Sequence, residues 1–522
     1  MQVLADHTLV INTRFPARIT ETVKNSKIVN NYGDGRYEVA VQWDLEAAQI
    51  LSQMRVKNVP SPIKRDYKWP RPIGFEPFDH QRETSSFLSL RKRAFCFNEQ
   101  GTGKTASVIW AADYLMQAGL IKRVLVVCPL SIMQSAWQAD LFKFAVHRTV
   151  DVAYGSADKR NKIANSAAEF VIINYDGVPS IAESVIKKGN FDLIVLDEAN
   201  AYKNVQTRRW KLMRKLITDH TWMWMLTGTP AAQSPVDAYG LGKLCVPERT
   251  PRFFGDFRES VMKSLGVYRW EPRADAEKTV FEMLQPAIRF TKSECLDLPK
   301  VTYTSRFAPL TPQQKKYYKE LKNQMLLEAA GEEVSSVNAA AKMSKLLQIS
   351  CGAVYTDSGA VIEFDVSERL RVVQEAIEEA SHKVLIFVPF RHAIVLLNDY
   401  LTKAGVTCET IHGDVSVRSR TDIFKRFQEQ PDPRVLIIQP QAAAHGVTLT
   451  AANVIIWYAP VTSTETYLQA NARIDRPGQY NPMTVIHIEG SPVERKLYNM
   501  LQNNIANHEK IVDLYKKELM DT

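Results

Sequence analysis

The stretch AFCFNEQGTGKTASVIWAADYLM, residues 94–116, decides how this chain is read. AFCF (94–97) has the length and apolar character of a short buried strand, and ASVIWAADYLM (106–116) continues as a helix. NEQGTGKT (98–105) lies between them, with Lys104 and Thr105 opening the helix. A strand, a glycine-bearing turn and a Lys-Thr pair at a helix start form the arrangement that cradles phosphate. Gly101 and Gly103 permit backbone angles that aim several N–H groups at one phosphate, and the helix N-terminus adds partial positive charge. Lys104 supplies a full charge to the β- and γ-phosphates, and the Thr105 hydroxyl can ligate Mg²⁺. The expected nucleotide-holding set is therefore Gln100, Gly101, Thr102, Gly103, Lys104 and Thr105, with ATP and Mg²⁺ as cofactors. The full motif has glycine where this chain has Asn98, so it is broken at one place.

About ninety residues further on, FDLIVLDE (191–198) is a strand ending in two carboxylates. Ligands bind at the C-terminal edge of such sheets. Asp197 is expected to hold Mg²⁺, and Glu198 to orient and deprotonate the attacking water. Alone, an Asp-Glu pair after a strand is more often a solvated loop; its place downstream of the phosphate loop favours the chemical role.

Similar apolar, β-branched runs recur at RVLVVCP (123–129), FVIIN (170–174) and TWMWMLTG (221–228), separated by helical segments. The pattern lapses between about 235 and 380, where helices such as TPQQKKYYKELKNQMLLEAA (311–330) dominate. It resumes at KVLIFVP (383–389), RVLIIQP (434–440), NVIIWYA (453–459) and MTVIHIEG (483–490). Strands apolar on both faces, alternating with helices, imply parallel sheets covered on two sides. The expected class is α/β, with two RecA-like parallel-sheet lobes, a helical insertion between them and a small N-terminal α+β module. The boundaries read are 1–72 for the module, 73–245 for the first lobe, 246–300 for a helical linker and 301–522 for the second lobe. Within the module, YEVAVQW (37–43) alternates as a strand and DLEAAQILSQMRV (44–56) as a helix, while the proline-rich VPSPIKRDYKWPRPIG (59–74) looks like a linker.

A chain of 522 residues can bury large cores without disulfides, and the six scattered cysteines contain no CxxC pair. They read as reduced, buried thiols. No basic segment leads into a long apolar core at the N-terminus, and no apolar run approaches membrane-spanning length. The net charge of +9 favours a polyanionic partner, though weakly by itself. The basic runs RKR (91–93) and RRWKLMRK (208–215) are candidates for a nucleic-acid footprint, against the plainer reading of solvated faces.

Taken together these segments resemble the superfamily-two nucleic-acid translocases, and most of all their Swi/Snf-type branch, over roughly 75–515. The resemblance rests on VVCPLSIMQSAWQADLFKF (126–144), DEANAYKN (197–204), LTGTP (226–230), AIRFTKSECLDLPKV (287–301), LTPQQKKYY (310–318), IHGDVSVRSR (411–420) and QANARIDRPGQ (469–479). Within the last, Gln469, Arg473 and Arg476 keep the family spacing. It implies that Arg473 and Arg476, expected on one helix face, reach the γ-phosphate across an inter-lobe cleft as arginine fingers. It also implies that Gln81 reads the adenine edge, and that Gly446 and Gln469 belong to the nucleotide site. For nucleic acid it implies Pro129, Leu130, Ser131, Asn174, Tyr175, Thr227 and Gly228 in the first lobe. In the second it implies Phe390, Arg391, Gly413, Arg418 and Gly446. Four positions depart from the family: Asn98, Asn200 where histidine is usual, and Ala443-Ala444 in place of a glycine pair.

The function implied is an ATP-driven motor on double-stranded or branched DNA, monomeric and not membrane-bound. Compact size and the lack of bromodomain-like additions argue against a nucleosome remodeller. By analogy the short N-terminal module points to fork remodelling, with replication or recombination proteins as partners. The compartment would be the cytoplasm of a bacterial or phage-infected cell, or the nucleus in a eukaryote. A strand-separating DNA or RNA helicase and a non-hydrolysing nucleic-acid-binding scaffold are the rival readings.

Overall fold

The computed structural model describes residues 1–502 apart from 5–6, 229, 232–233, 267–269, 296–298, 332–335, 356–360 and 443–446. It divides into two compact units, one covering residues 1–295 and the other starting at residue 296.

The first unit is built on a seven-stranded, wholly parallel sheet. Its spatial order is Ala287–Ile288, Arg93–Cys96, Trp222–Leu226, Leu193–Asp197, Val124–Cys128, Phe170–Asn174 and Val150–Ala153. The period of two along a strand sends alternate side chains to opposite faces. Leu125, Val127, Ile194 and Leu196 enter one core, whereas Val124, Val126, Leu193 and Val195 enter the other. Burial on both faces is why these strands read as unbroken apolar runs.

The second unit repeats the plan with six parallel strands, in the order Val301–Phe307, Met483–Glu489, Ala452–Trp457, Lys383–Phe387, Val435–Ile438 and Cys408–Ile411. Val384, Ile386 and Val388 face one core; Leu385 and Phe387 face the other. The fold is α/β with two RecA-like lobes and a small N-terminal α+β module, as read from the sequence. No helix among the described residues is long and apolar enough to cross a membrane. All six cysteines are free thiols.

The helical stretch between the two runs of strands splits in two. Phe254–Val261 and Ala276–Met283 bury Phe257, Val261, Phe281 and Met283 in a core of the first sheet, and Ala287–Ile288 is that sheet's edge strand. Most of 246–300 therefore packs as part of the first lobe, not as a separate linker. Pro312–Gly331 and Ser336–Cys351 follow the edge strand Val301–Phe307 and belong to the second unit.

The N-terminal module is a four-stranded antiparallel sheet, with Leu9, Ile11, Val39 and Val41 packed against Leu51 of the helix Leu45–Gln53. The Asp44 carboxylate caps that helix by accepting from the Ala47 amide at 2.8 Å.

Residues 59–74 are not a free linker. Ile63, Tyr67 and Trp69 are buried in a core of the first lobe, with Trp110 and Phe144. Aromatic side chains carry enough apolar area to override the chain-breaking effect of the prolines. The Trp110 indole donates to Pro70 O at 2.8 Å, and the Tyr67 hydroxyl donates to Asp113 Oδ2 at 2.6 Å. Asp113, fully buried on the helix that follows the phosphate loop, also accepts from Arg148 at 2.6 Å and Gln117 at 2.9 Å. Tyr67→Phe removes one donor from a buried charge, so it should destabilise the first unit by about 2 kcal/mol. Urea unfolding measures this, and a change below roughly 0.5 kcal/mol would show that the strap is not held by this bond.

Candidate active site

Three strands place the chemistry. Arg93–Cys96, Trp222–Leu226 and Leu193–Asp197 lie side by side, with Cys96 opposite Leu226 and Leu226 opposite Asp197. The phosphate loop, Thr227-Gly228 and Glu198 consequently leave the sheet at one level of its C-terminal edge. The Thr227 amide donates to Cys96 O at 3.1 Å. A Cβ on Gly228 would lie 3.7 Å from Asn98 O, which measures how closely the two loops approach.

The loop has the conformation its glycines permit. Gly101 and Gly103 have φ of 86° and 76°, in the left-handed region. Lys104 is the first residue of the helix Lys104–Gln117, with Thr105 beside it. The Lys104 ammonium donates to Asn98 O at 2.8 Å and Glu99 O at 3.1 Å. Gln81 is buried against this loop, and a Cβ on Gly103 would come within 2.1 Å of its Nε2. Its Oε1 accepts from the Phe78 amide at 3.0 Å, which fixes the side chain at the start of the helix Asp79–Ser89. His80 Nε2 lies 2.8 Å from Thr102 O, and burial holds this imidazole below the ordinary histidine range.

Asn98 explains the broken motif. Its amide is 1% exposed, donates to Thr84 Oγ1 at 2.8 Å and accepts from the Phe290 amide at 3.0 Å. The side chain ties the loop's entry to two neighbouring segments, a bond pair glycine cannot make.

Asp197 is buried, and desolvation raises its carboxyl above the usual range, while the Trp137 indole, Lys104 and the Glu198 amide pull the other way. Trp137 Nε1 donates to Oδ2 at 2.8 Å and the Glu198 amide to Oδ1 at 2.9 Å. Trp137 sits in a π turn, Met133–Gln138, a wide turn frequent at functional sites. The Tyr175 hydroxyl donates to Asp197 O at 2.6 Å and more weakly to Glu198 O at 3.3 Å. Glu198 itself has φ of 47°, a left-handed backbone that a non-glycine residue adopts only under local constraint. The Thr105 hydroxyl and the Asp197 carboxylate are hard oxygen donors of the kind Mg²⁺ prefers, and each carboxylate oxygen keeps accepting capacity beyond its one bond.

The sequence alone assigns no role to Trp137 or Asn98, and Tyr175, expected on the nucleic-acid track, has its hydroxyl on the Asp197 backbone. Trp137 stood within a quoted motif, but nothing in spacing alone shows that an indole reaches a carboxylate sixty residues away.

In the second unit, Arg473 and Arg476 do not share a helix face. The helix Thr464–Asn471 stops first, and the Leu449 amide takes Arg473 O at 2.9 Å in place of another helical turn. Pro477-Gly478 follows, with Gly478 at φ of 94°. The Gln479 side-chain amide pins this turn to the sheet, its Nε2 donating to Ala452 O at 2.8 Å. Arg473 is 2% exposed and donates to Val447 O at 3.3 Å. Arg476 is more open; its guanidinium donates to Ala472 O at 2.7 Å and Thr448 Oγ1 at 3.3 Å. Gln469 is buried on the helix and donates to Glu465 at 3.3 Å. Gly446, and the Ala443-Ala444 departure, lie outside the described residues.

The described residues expected along a nucleic-acid track lie at strand ends or in the loops and helix starts that follow them. Pro129 and Leu130 follow Val124–Cys128, and Leu130 is 43% exposed; of Ser131 only the backbone is described. Asn174, Thr227 and Gly228 are buried, and Tyr175 is committed to the Asp197 backbone. In the second unit Arg391 pairs with Asp414, bringing the Phe390-Arg391 turn beside Gly413. Arg418 is exposed on the helix Val417–Glu429, which Ser416 caps.

The RKR run is not a footprint. Arg91 donates to Phe87 O, Lys92 to Asp219 O and Arg93 to Thr218 O, and burial lowers the Arg91 guanidinium to about 10. By contrast Arg208, Lys211, Arg214 and Lys215 are exposed on the helix Arg208–Leu216, whose Met213 and Leu216 are buried.

A phosphate loop and a strand-terminal Asp-Glu on one parallel sheet, with a second parallel-sheet lobe in the same chain, define a phosphate-loop protein of two RecA-like lobes. Residues 80–352 match the SNF2-related domain and residues 368–478 the helicase conserved C-terminal domain. The chain belongs to the SNF2-related family. It is 27% identical over 398 residues to a protein of Mycoplasma pneumoniae described as an uncharacterized ATP-dependent helicase, covering 75% of this chain and 37% of that one. It is 24% identical over 437 residues to putative protein p41 of Acyrthosiphon pisum secondary endosymbiont phage 1, covering 79% of this chain and 93% of that one. Among solved structures it resembles the Sulfolobus solfataricus SWI2/SNF2 ATPase core in complex with dsDNA, at 22% identity and a TM-score of 0.41, covering 85% of this chain and 94% of that one. The chain spans just over a third of the Mycoplasma relative's length.

Proposed function

We propose that this chain is a nucleic-acid-stimulated ATPase that works as a motor on double-stranded DNA. The observation that carries the reading is the shared strand level, which brings Lys104, Glu198 and Thr227-Gly228 to one edge of the first sheet. The Gly101–Gly103 turn and the helix start hold the phosphates, and Lys104 neutralises the β/γ charge. Thr105 and Asp197 would hold Mg²⁺, which would supply charge neutralisation to the β- and γ-phosphates. Glu198 accepts the proton of the attacking water, and its constrained backbone limits where that carboxylate can swing. Gln81, fixed against the loop, contributes to nucleotide recognition. Arg473 and Arg476 are read as the arginines that meet the γ-phosphate as charge develops on it. Because they come from the second lobe, hydrolysis would require the lobes to close, and closing and opening in turn can drive movement along DNA.

Contacts of the Arg391, Gly413 and Arg418 kind meet phosphates, so the motor tracks the backbone without reading sequence. The family membership and the basic net charge support nucleic acid as partner. A role in DNA replication, recombination or repair extends this reading, and the phage relative supports only a bacterial or phage setting for it. The test is ATP turnover compared across single-stranded, duplex and forked DNA and RNA. Strongest stimulation by duplex or forked DNA supports the proposal. Stimulation only by single strands or RNA contradicts the duplex motor, and no turnover with any of them contradicts the ATPase.

A further inference from the structure

We infer that Arg289 is a positioning residue for the phosphate loop, acting on Lys104 through Glu99. The inference rests on the ATPase reading above and adds a residue to it.

Arg289 is 2% exposed, and its guanidinium grips three elements of the site at once. Nη1 donates to Phe97 O, at the strand end that feeds the loop, and to Gly228 O at 3.1 Å, in the neighbouring loop. Nη2 donates to Glu99 Oε1 at 3.1 Å, within the phosphate loop itself. The other Glu99 oxygen accepts the Lys292 amide at 2.9 Å. Glu99 is thus clamped by its side chain, while its carbonyl accepts the Lys104 ammonium at 3.1 Å and the Thr102 hydroxyl at 2.8 Å. The backbone around Arg289 adds to the clamp: the Phe95, Phe97 and Glu99 amides donate to Pro286 O, Ile288 O and Phe290 O at 3.0, 2.8 and 2.9 Å. The Phe290 amide donates to Asn98 Oδ1.

Burying a guanidinium is costly unless its hydrogens are paired, so a buried arginine whose Nη1 and Nη2 reach two carbonyls flanking the loop and one loop carboxylate is poorly explained as packing alone. The planar fork reaches acceptors on two sides in fixed geometry; a lysine ammonium can replace only part of that set. Loss of the fork leaves Glu99 held from one side and the Phe97 and Gly228 carbonyls without their shared donor. Lys104 then loses its fixed reference in the Glu99 backbone.

The experiment measures duplex-stimulated kcat and KM for Arg289→Met, Arg289→Lys, Glu99→Gln and the Arg289→Met/Glu99→Gln double variant, each normalised to folded protein by near-UV circular dichroism. Arg289→Met should lower kcat/KM about a hundredfold, the loss falling on kcat as well as KM, as when a remote change misplaces a reacting group by about 1 Å. Arg289→Lys should recover part of that loss, and Glu99→Gln should lose about tenfold. The double variant should be no worse than Arg289→Met alone. A per-folded-molecule kcat/KM within about twofold of wild type for Arg289→Met overturns the inference, as do losses that multiply in the double variant. Should Arg289→Met fail to fold, Glu99→Gln decides: unchanged kcat/KM overturns it and a loss on kcat supports it. Absence of turnover in the wild-type protein is a failure of the ATPase reading instead. In that event the affinity of a fluorescent ATP analogue decides, unchanged binding by Arg289→Met overturning the inference and weakened binding supporting it.

Discussion

Lys104→Ala is expected to reduce duplex-stimulated ATP turnover by about a thousandfold or more, the upper range for losing one preorganised electrostatic donor. Lys104 carries the single full positive charge on the loop-to-helix turn, and its ammonium is already directed by Asn98 O and Glu99 O into the loop. The substitution keeps helix propensity at the first position of Lys104–Gln117, so the fold should survive. Steady-state phosphate release measures the loss, and a thermal unfolding midpoint within a few degrees of wild type separates it from misfolding. Turnover within tenfold of wild type would place the chemistry elsewhere.

Arg476→Ala should also cost about a thousandfold or more in turnover, the effect of removing an arginine finger. The structure adds a contrast between the two arginines. Arg476 is partly exposed and bonds to Ala472 O in its own turn and, at 3.3 Å, to Thr448 Oγ1, so its loss should cost the second lobe less stability than the loss of Arg473. Arg473 is buried and bonded to Val447 O, so Arg473→Ala should lose stability as well as turnover. Phosphate release together with urea unfolding distinguishes them. Turnover in Arg476→Ala within tenfold of wild type would remove it from the site.

Much of this was legible in the sequence because the lobes are parallel sheets buried on both faces. FVIIN and VLVVC have no polar register to confuse, and their lengths match strands. The phosphate loop was legible because its glycines have a stereochemical reason to be there. What failed to show was decided by long-range packing. Proline in 59–74 signals broken structure locally, yet Tyr67 and Trp69 find a core more than forty residues away on the phosphate-loop helix. The edge strands Ala287–Ile288 and Val301–Phe307 are too short or too exposed to stand out from helical surroundings. The i, i+3 spacing of Arg473 and Arg476 matched a helix that Asn471 ends, its side chain accepting the buried Trp457 indole at 2.9 Å. The RKR run shows the limit of charge as a signal: the same residues cap carbonyls where they lead into an internal strand.

The motor reading joins ATP hydrolysis to travel along an intact duplex. The most direct measurement is displacement of a labelled third strand from a triplex flanked by duplex, with release of a duplex strand monitored in the same reaction. The account predicts ATP-dependent triplex displacement by the wild-type protein, none by Lys104→Ala, and no separation of the flanking strands. ATP hydrolysis without triplex displacement, or displacement accompanied by release of single strands from the duplex, would contradict it.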